Sequence, residues 1–213
     1  MKNFTHKYRV TFTNKQFVIS FIVSILALVG AFVFNYYTSN YATEHASNLV
    51  TDIVLSNIPI YNVDGVFVYG PLFVWALIAF LLLKEPKRIP FALKAITLFV
   101  VVRSIFTTLT HLGPYPYVIP FDYSYGWIKS LTFGSDMFFS GHTGLPYLMA
   151  LIFGKIHKTY YYLFLLAAVF FGVIVLLGHY HYTIDVAAAF FITYSIYAIA
   201  TKWFKKDMGQ FYS

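Results

Sequence analysis

The chain contains no cysteine. Disulfides, iron–sulfur clusters and thiolate zinc sites are therefore excluded. Charge is nearly as scarce: Asp, Glu, Lys and Arg make up 11% of 213 residues, against about 25% in soluble domains. Acidic residues are the rarer sign, 8 against 15 basic ones, for a formal net charge of +7. There is no internal repeat and no low-complexity segment. What the sequence has instead is apolar and aromatic matter, 59% hydrophobic and 22% aromatic, gathered into repeated long runs. A chain so poor in charge is solvated by lipid, and residues 1–213 read as a single all-α integral-membrane domain.

Six spans of bilayer length are expected, at about Phe17–Tyr37, Val66–Leu83, Phe91–Leu112, Phe138–Gly154, Tyr160–Gly178 and Thr183–Phe204. The first follows Lys2, Lys7, Arg9 and Lys15, as a signal peptide would. Its apolar stretch is too long for a signal segment and no clear cleavage site follows, so it reads as a retained anchor.

Charge placement orients this six-helix bundle. The basic groups before span one, Lys84, Lys87 and Arg88, Lys155 and Lys158, and Lys202, Lys205 and Lys206 all fall on one side. The other side receives Glu44, Asp52, Asp64, Asp122 and Asp136, with Lys129 as its one basic residue. The expectation is a cytoplasmic N- and C-terminus, and the basic excess then needs no nucleic acid to explain it. Lys94 is expected to snorkel to the inner surface. The outer loops Thr38–Gly65 and Gly113–Met137 are rich in Tyr, Asn, Pro and Gly, as interfacial turns and short helices are.

With sides assigned, the unusual polar residues converge on the outer face. His142 opens span four, His111 closes span three, and His179, His181 and Asp185 open span six, with Arg103 inside span three. Polar groups at membrane depth are costly and mark function. His181 and Asp185 are four residues apart, a spacing that brings side chains together on a helix. A carboxylate on one ring nitrogen fixes the imidazole tautomer and leaves the other nitrogen to attack or accept a proton. The plainer reading is a pair that ties a helix end to its neighbour. In SGHTGLP, Pro146 suits a first helical turn, which puts the helix start near Thr143 and Ser140, Gly141 and His142 at its N-terminus. Such an end favours an anion such as phosphate, and Gly141 and Gly144 allow close approach of a ligand. An ordinary cap with an interfacial histidine is the alternative. Arg103 suits either a phosphoryl group, through its planar fork, or carbonyls within the bundle. Together these groups fit metal-free phosphoryl transfer, with one histidine attacking phosphorus and the other protonating the leaving oxygen.

SGHT followed much later by HYTID resembles the sphingomyelin synthase-related branch of the type-2 phosphatidic acid phosphatase superfamily. The likeness extends to Asp136, six residues before His142, to Arg103–Thr110, and to the last span, HYHYTIDVAAAFF. It covers about residues 91–204. It implies an exoplasmic-type site with His181 as nucleophile, Asp185 as its partner, and His142 as acid and then base. Ser140, Gly141, Arg103, Asp136 and His179 are the expected substrate-binding or supporting residues, with no metal and no cofactor. The wider phosphatase signature carries a serine–arginine pair before the last histidine. Ile174 and Val175 stand there instead, which turns the resemblance toward the synthase branch. The implied partners are a phospholipid donor such as phosphatidylcholine and a lipid alcohol acceptor, ceramide in that branch, in a plasma (inner) membrane with the site extracytoplasmic. Three other readings stay open from sequence. One is a lipid phosphate phosphatase using the same residues with water as acceptor. Another is a zinc hydrolase ligated by His142, His179, His181 and Asp185, and the last is a non-enzymatic transporter, channel or scaffold.

Overall fold

The structure is a computed structural model and describes residues 2–115 and 137–212, the side chains of residues 2–5 excepted. Helices are the only regular elements among the described residues. They are α1 (Lys2–Thr13), α2 (Lys15–Glu44), α3 (Asp64–Lys84), α4 (Ile89–Leu109), α5 (Gly141–Phe153), α6 (Lys158–Leu177), α7 (Thr183–Trp203) and α8 (Lys205–Tyr212). Single 3₁₀ turns stand at Leu55–Asn57 and Pro86–Arg88.

Among the described residues, five helices are long and apolar enough to cross a membrane: α2, α3, α4 with its preceding turn, α6 and α7. This is a multi-pass membrane protein. The segment expected as span four is helical for only 13 residues, Gly141–Phe153, or about 20 Å at 1.5 Å per residue, against a hydrocarbon core of about 30 Å. Ser140 caps it, its Oγ accepting the Thr143 N–H at 3.4 Å, so the helix begins two residues before Thr143. No residue of α5 is exposed, and Leu148, Met149, Ala150, Ile152 and Phe153 are fully buried. α5 is the core element, packed against α4, α6 and α7.

Its closest approach to its neighbours is at Gly144. A Cβ there would fall 2.7 Å from the Phe99 ring of α4 and 2.9 Å from Thr193 Oγ1 of α7. This glycine serves helix packing, and its expected role in approaching a ligand is corrected accordingly.

Other boundaries differ for local reasons. α2 runs 30 residues, past Tyr37 to Glu44, because TSNYATE holds no glycine or proline and buries Thr38 and Ala42 against the bundle. α4 ends at Leu109, and Thr110 is already extended (φ −124°, ψ 115°). His111 therefore lies beyond the helix, exposed, with its ring 5.8 Å from that of His45.

On the opposite end of the bundle, α8 folds back so that Phe211 is fully buried between Phe91 and Phe153. Tyr212 Oη donates to the Ile152 carbonyl at 3.0 Å. Lys94 does not snorkel. Its Nζ pairs with Asp207 Oδ2 of α8 at 2.6 Å and with Ser20 Oγ of α2 at 2.7 Å.

Candidate active site

The site is built where α4, α5 and α7 meet the short bent segment Met137–Ser140. Each residue of that segment is held by a different polar partner. The Met137 carbonyl faces His181 Nδ1 at 2.8 Å, and the Phe138 carbonyl accepts from Thr107 Oγ1 at 2.9 Å. The Phe139 carbonyl accepts from Arg103 Nε at 2.9 Å, and the Ser140 N–H donates to the Asp185 carbonyl at 3.2 Å. The bent stretch before SGHT is thus laced to α4 on one side and to the start of α7 on the other. Sequence reading saw the side chains of this region and missed its carbonyls, which no residue pattern announces.

His181 is two residues short of α7, so the pairing with Asp185 is not made on one helix face as expected. It arises from the helix cap. Tyr182 is the N-cap, and Asp185, third in the helix, reaches back to accept the Tyr182 N–H with Oδ2 at 3.0 Å. That reciprocal capping bond swings the carboxylate toward His181, placing Oδ2 3.3 Å from Nδ1. Both residues are buried, Asp185 completely. A carbonyl oxygen only accepts, so the 2.8 Å contact with Met137 puts the hydrogen on Nδ1. The lone pair of the neutral ring is then on Nε2.

His142 is the second residue of α5. Its Nε2 lies 3.2 Å from the Phe67 carbonyl of α3, and its ring stacks on that of Phe67 at 4.1 Å and 18°. By the same logic Nε2 carries a hydrogen and Nδ1 is the uncommitted nitrogen. The ionisable side chains near enough to act on this ring are His181 and Arg103. Gly141 lies against the Arg103 guanidinium, a Cβ there falling 3.4 Å from Nε. No acceptor among the described residues takes the N–H groups of Gly141 and His142. The structure thus gathers His142, His181, Asp185, Ser140, Gly141 and Arg103. Arg103 binds the chain through Nε, which donates to the Phe139 carbonyl.

His179 owes its conformation to helix termination. At the end of α6 the Tyr180 N–H returns to the Val175 carbonyl at 2.9 Å and the His179 N–H to the Leu176 carbonyl at 3.0 Å. This is a Schellman turn, and its penultimate position takes a left-handed backbone, usually from glycine. His179 fills it at φ 55°. The ring is buried and meets Tyr115 edge-on at 5.1 Å. Burial lowers the His179 pKa below its ordinary value, outweighing the Ile58 carbonyl and the Asp52 carboxylate. His142, His179, His181 and Asp185 are not assembled as one ligand set among the described residues. Asp136, expected beside this site, lies outside the described residues, as do Lys129 and Asp122.

Two acidic residues that sequence reading placed only by side turn out to build the surroundings. Asp52 accepts four hydrogen bonds, from the N–H groups of Val54 and Leu55 and from the N–H and hydroxyl of Thr183. Asp64 accepts from Tyr180 Oη. Their partners in the 180s are more than 100 residues away, so neither role has a local signature.

Residues 134–202 match the family model described as PAP2 superfamily C-terminal. The match takes in α5, α6 and nearly all of α7, with His142, His179, His181 and Asp185 inside it. It supports the type-2 phosphatidic acid phosphatase superfamily and fits a phosphatase or phosphotransferase. No curated protein and no solved structure matches the chain.

Proposed function

We propose that the protein is a membrane lipid phosphotransferase that moves a phospho-headgroup between lipids through a phosphohistidine. The observation that carries this reading is the pinning of His181 Nδ1 by the Met137 carbonyl and the Asp185 carboxylate. A nitrogen held this way makes the ring a directed nucleophile and stabilises its positive charge once the other nitrogen has reacted.

In the first step His181 Nε2 forms a bond to phosphorus and the phosphorus–oxygen bond to the diacylglycerol breaks. The leaving oxygen takes a proton from His142. In the second step His142 accepts the proton of an acceptor hydroxyl as that oxygen bonds phosphorus and the nitrogen–phosphorus bond breaks. Arg103 and the N–H groups at the start of α5 stabilise the equatorial oxygens. The bundle crosses six times with α5 as its short fourth element, both termini are cytoplasmic, and the site opens to the extracytoplasmic face of the plasma membrane. The absence of arginine at Ile174 and Val175 supports the sphingomyelin synthase-like branch, with a lipid alcohol as acceptor.

The test is a mass-spectrometric assay of the purified protein with mixed phospholipid donors and lipid alcohols, alongside His181→Ala, His142→Ala and Asp185→Asn. A new headgroup-bearing lipid, lost in all three variants, is the expected result. Full activity in His181→Ala would overturn the reading. Phosphate released from a monoester, with nothing transferred to a lipid alcohol, would assign the site to lipid phosphate hydrolysis.

A further inference from the structure

α3 lies outside the residues matched by the superfamily model, yet it touches His142 directly and Tyr180, the residue that precedes His181. Phe67 meets His142 twice, by ring stacking at 4.1 Å and by its carbonyl at 3.2 Å from Nε2. One turn earlier, at the first residue of α3, the buried Asp64 carboxylate takes the hydroxyl of Tyr180. Tyr180 immediately precedes His181 in the chain, and its ring packs against that of Phe67 at 4.3 Å.

The geometry at both ends of this linkage is enforced. Gly178 leaves the space that the Tyr180 ring fills, since a Cβ there would run into it. The Schellman turn that ends α6 aims Tyr180 at α3. The Tyr61 N–H, donating to the Leu177 carbonyl at 2.9 Å, holds the approach to α3 against the same turn.

We propose that the start of α3 is a positioning arm for His142, with Phe67 setting the ring's orientation and tautomer and the Asp64–Tyr180 bond coupling that setting to the loop carrying His181. Phe67 does for His142 what Met137 and Asp185 do for His181. An oxygen acceptor on one ring nitrogen directs the other and stabilises the protonated ring. Stacking removes the ring's rotational freedom, which is where a general acid loses efficiency when misplaced. The hydroxyl of Tyr180 and the carboxylate of Asp64 touch no reacting atom in this scheme, so their effect falls on the placement of the two histidines relative to each other.

The kinetic part of this inference rests on the phosphotransfer reading, and the experiment separates the two. Wild type, Tyr180→Phe and Phe67→Leu are purified in one detergent and treated with diethyl pyrocarbonate. Modification of His142 is followed by peptide mass spectrometry against exposed His45 as internal standard. Tyr180→Phe removes one hydroxyl and Phe67→Leu removes the stacked ring, and each is expected to speed His142 modification severalfold. Turnover on the lipid panel should fall roughly tenfold or more in kcat, the scale of a misplaced catalytic group, with KM within twofold of wild type. A merely structural contact would change neither the His142 rate nor kcat without loss of folded protein. His142 modification at the wild-type rate in both variants overturns the proposal, whether or not any lipid product forms. Wild type without lipid product, but with His142 unmasked in the variants, overturns the phosphotransfer reading and leaves the positioning arm standing.

Discussion

Asp52 grips Thr183 at both carboxylate oxygens, Oδ2 taking the backbone N–H at 2.6 Å and Oδ1 the hydroxyl at 2.8 Å. The same Oδ1 accepts the N–H groups of Val54 and Leu55. One carboxylate therefore caps the 3₁₀ turn of the loop between α2 and α3 and the start of α7 at once. The loop is fastened two residues from His181. Tyr182 adds a second stitch, its hydroxyl lying between the Val50 N–H and the Gly113 carbonyl.

Removing that clamp with Asp52→Ala should cost about 1–2 kcal/mol, the upper range for a lost cap, read as a lower thermal midpoint in detergent. Burial acts to raise the pKa of Asp52, but the bonds from Thr183, Leu55 and Val54 hold it below 3.8. A depressed carboxylate contributes stability that is fully present above its unfolded value and lost as pH falls through the folded one. Asp52→Asn should accordingly be less stable than wild type at neutral pH, with the gap closing below about pH 4.

His179 acts in the same direction at higher pH. Its folded pKa is lowered from 6.5, so below that pH the unfolded chain binds a proton that the folded chain refuses. Stability then falls with pH from about 6.5 downward until the folded value is reached. Asn accepts the left-handed backbone at φ 55° and does not titrate. The midpoint of His179→Asn should change less between pH 7 and pH 5 than that of wild type. Parallel curves for the two proteins would contradict the assignment.

Packing gives a matched pair of glycine tests. Gly144→Ala puts a methyl into the Phe99 ring and Thr193 Oγ1 and should cost about 1–3 kcal/mol, the range for overpacking. Gly30→Ala meets nothing within 4 Å on lipid-facing α2, so the protein should be unchanged or gain about 0.5–1 kcal/mol from helix propensity. Thermal midpoints of the two variants in the same detergent check the contrast.

The ion pair at the far end of the bundle predicts a non-additive series. Lys94→Met strands the buried Asp207 carboxylate and should cost on the order of 3 kcal/mol, as breaking a buried pair does. Lys94→Met with Asp207→Leu removes both charges and should recover most of that loss. A double variant as unstable as the single one would show that the pair acts through something other than charge.

How much of this was legible in the sequence follows from the range of each interaction. His181 and Asp185, four residues apart, meet, although a cap and not a shared helix face joins them. Ser140 as the cap of a helix carrying His142 was readable for the same local reason. Phe67, Asp52 and Asp64 act on residues 75, 131 and 116 positions away, and no spacing rule reaches that far. α1 and α8 went unseen because their charged residues hid them from a search for apolar runs. For span four, an apolar run of that length is shared by crossing helices and by buried core helices, and only the neighbours of α5 show that none of its residues is exposed.

That packing has a mechanical consequence. Helices that face lipid answer to the thickness of the bilayer by tilting or sliding, and α2 presents its large apolar side chains outward for this. α5 exposes no residue. The depth of Ser140, Gly141 and His142 is set by protein struts, chiefly Arg103 to the Phe139 carbonyl and Ser140 to the Asp185 carbonyl. α2 can settle to membranes of different thickness while His142 and His181 keep the mount that α3, α4 and α7 give them.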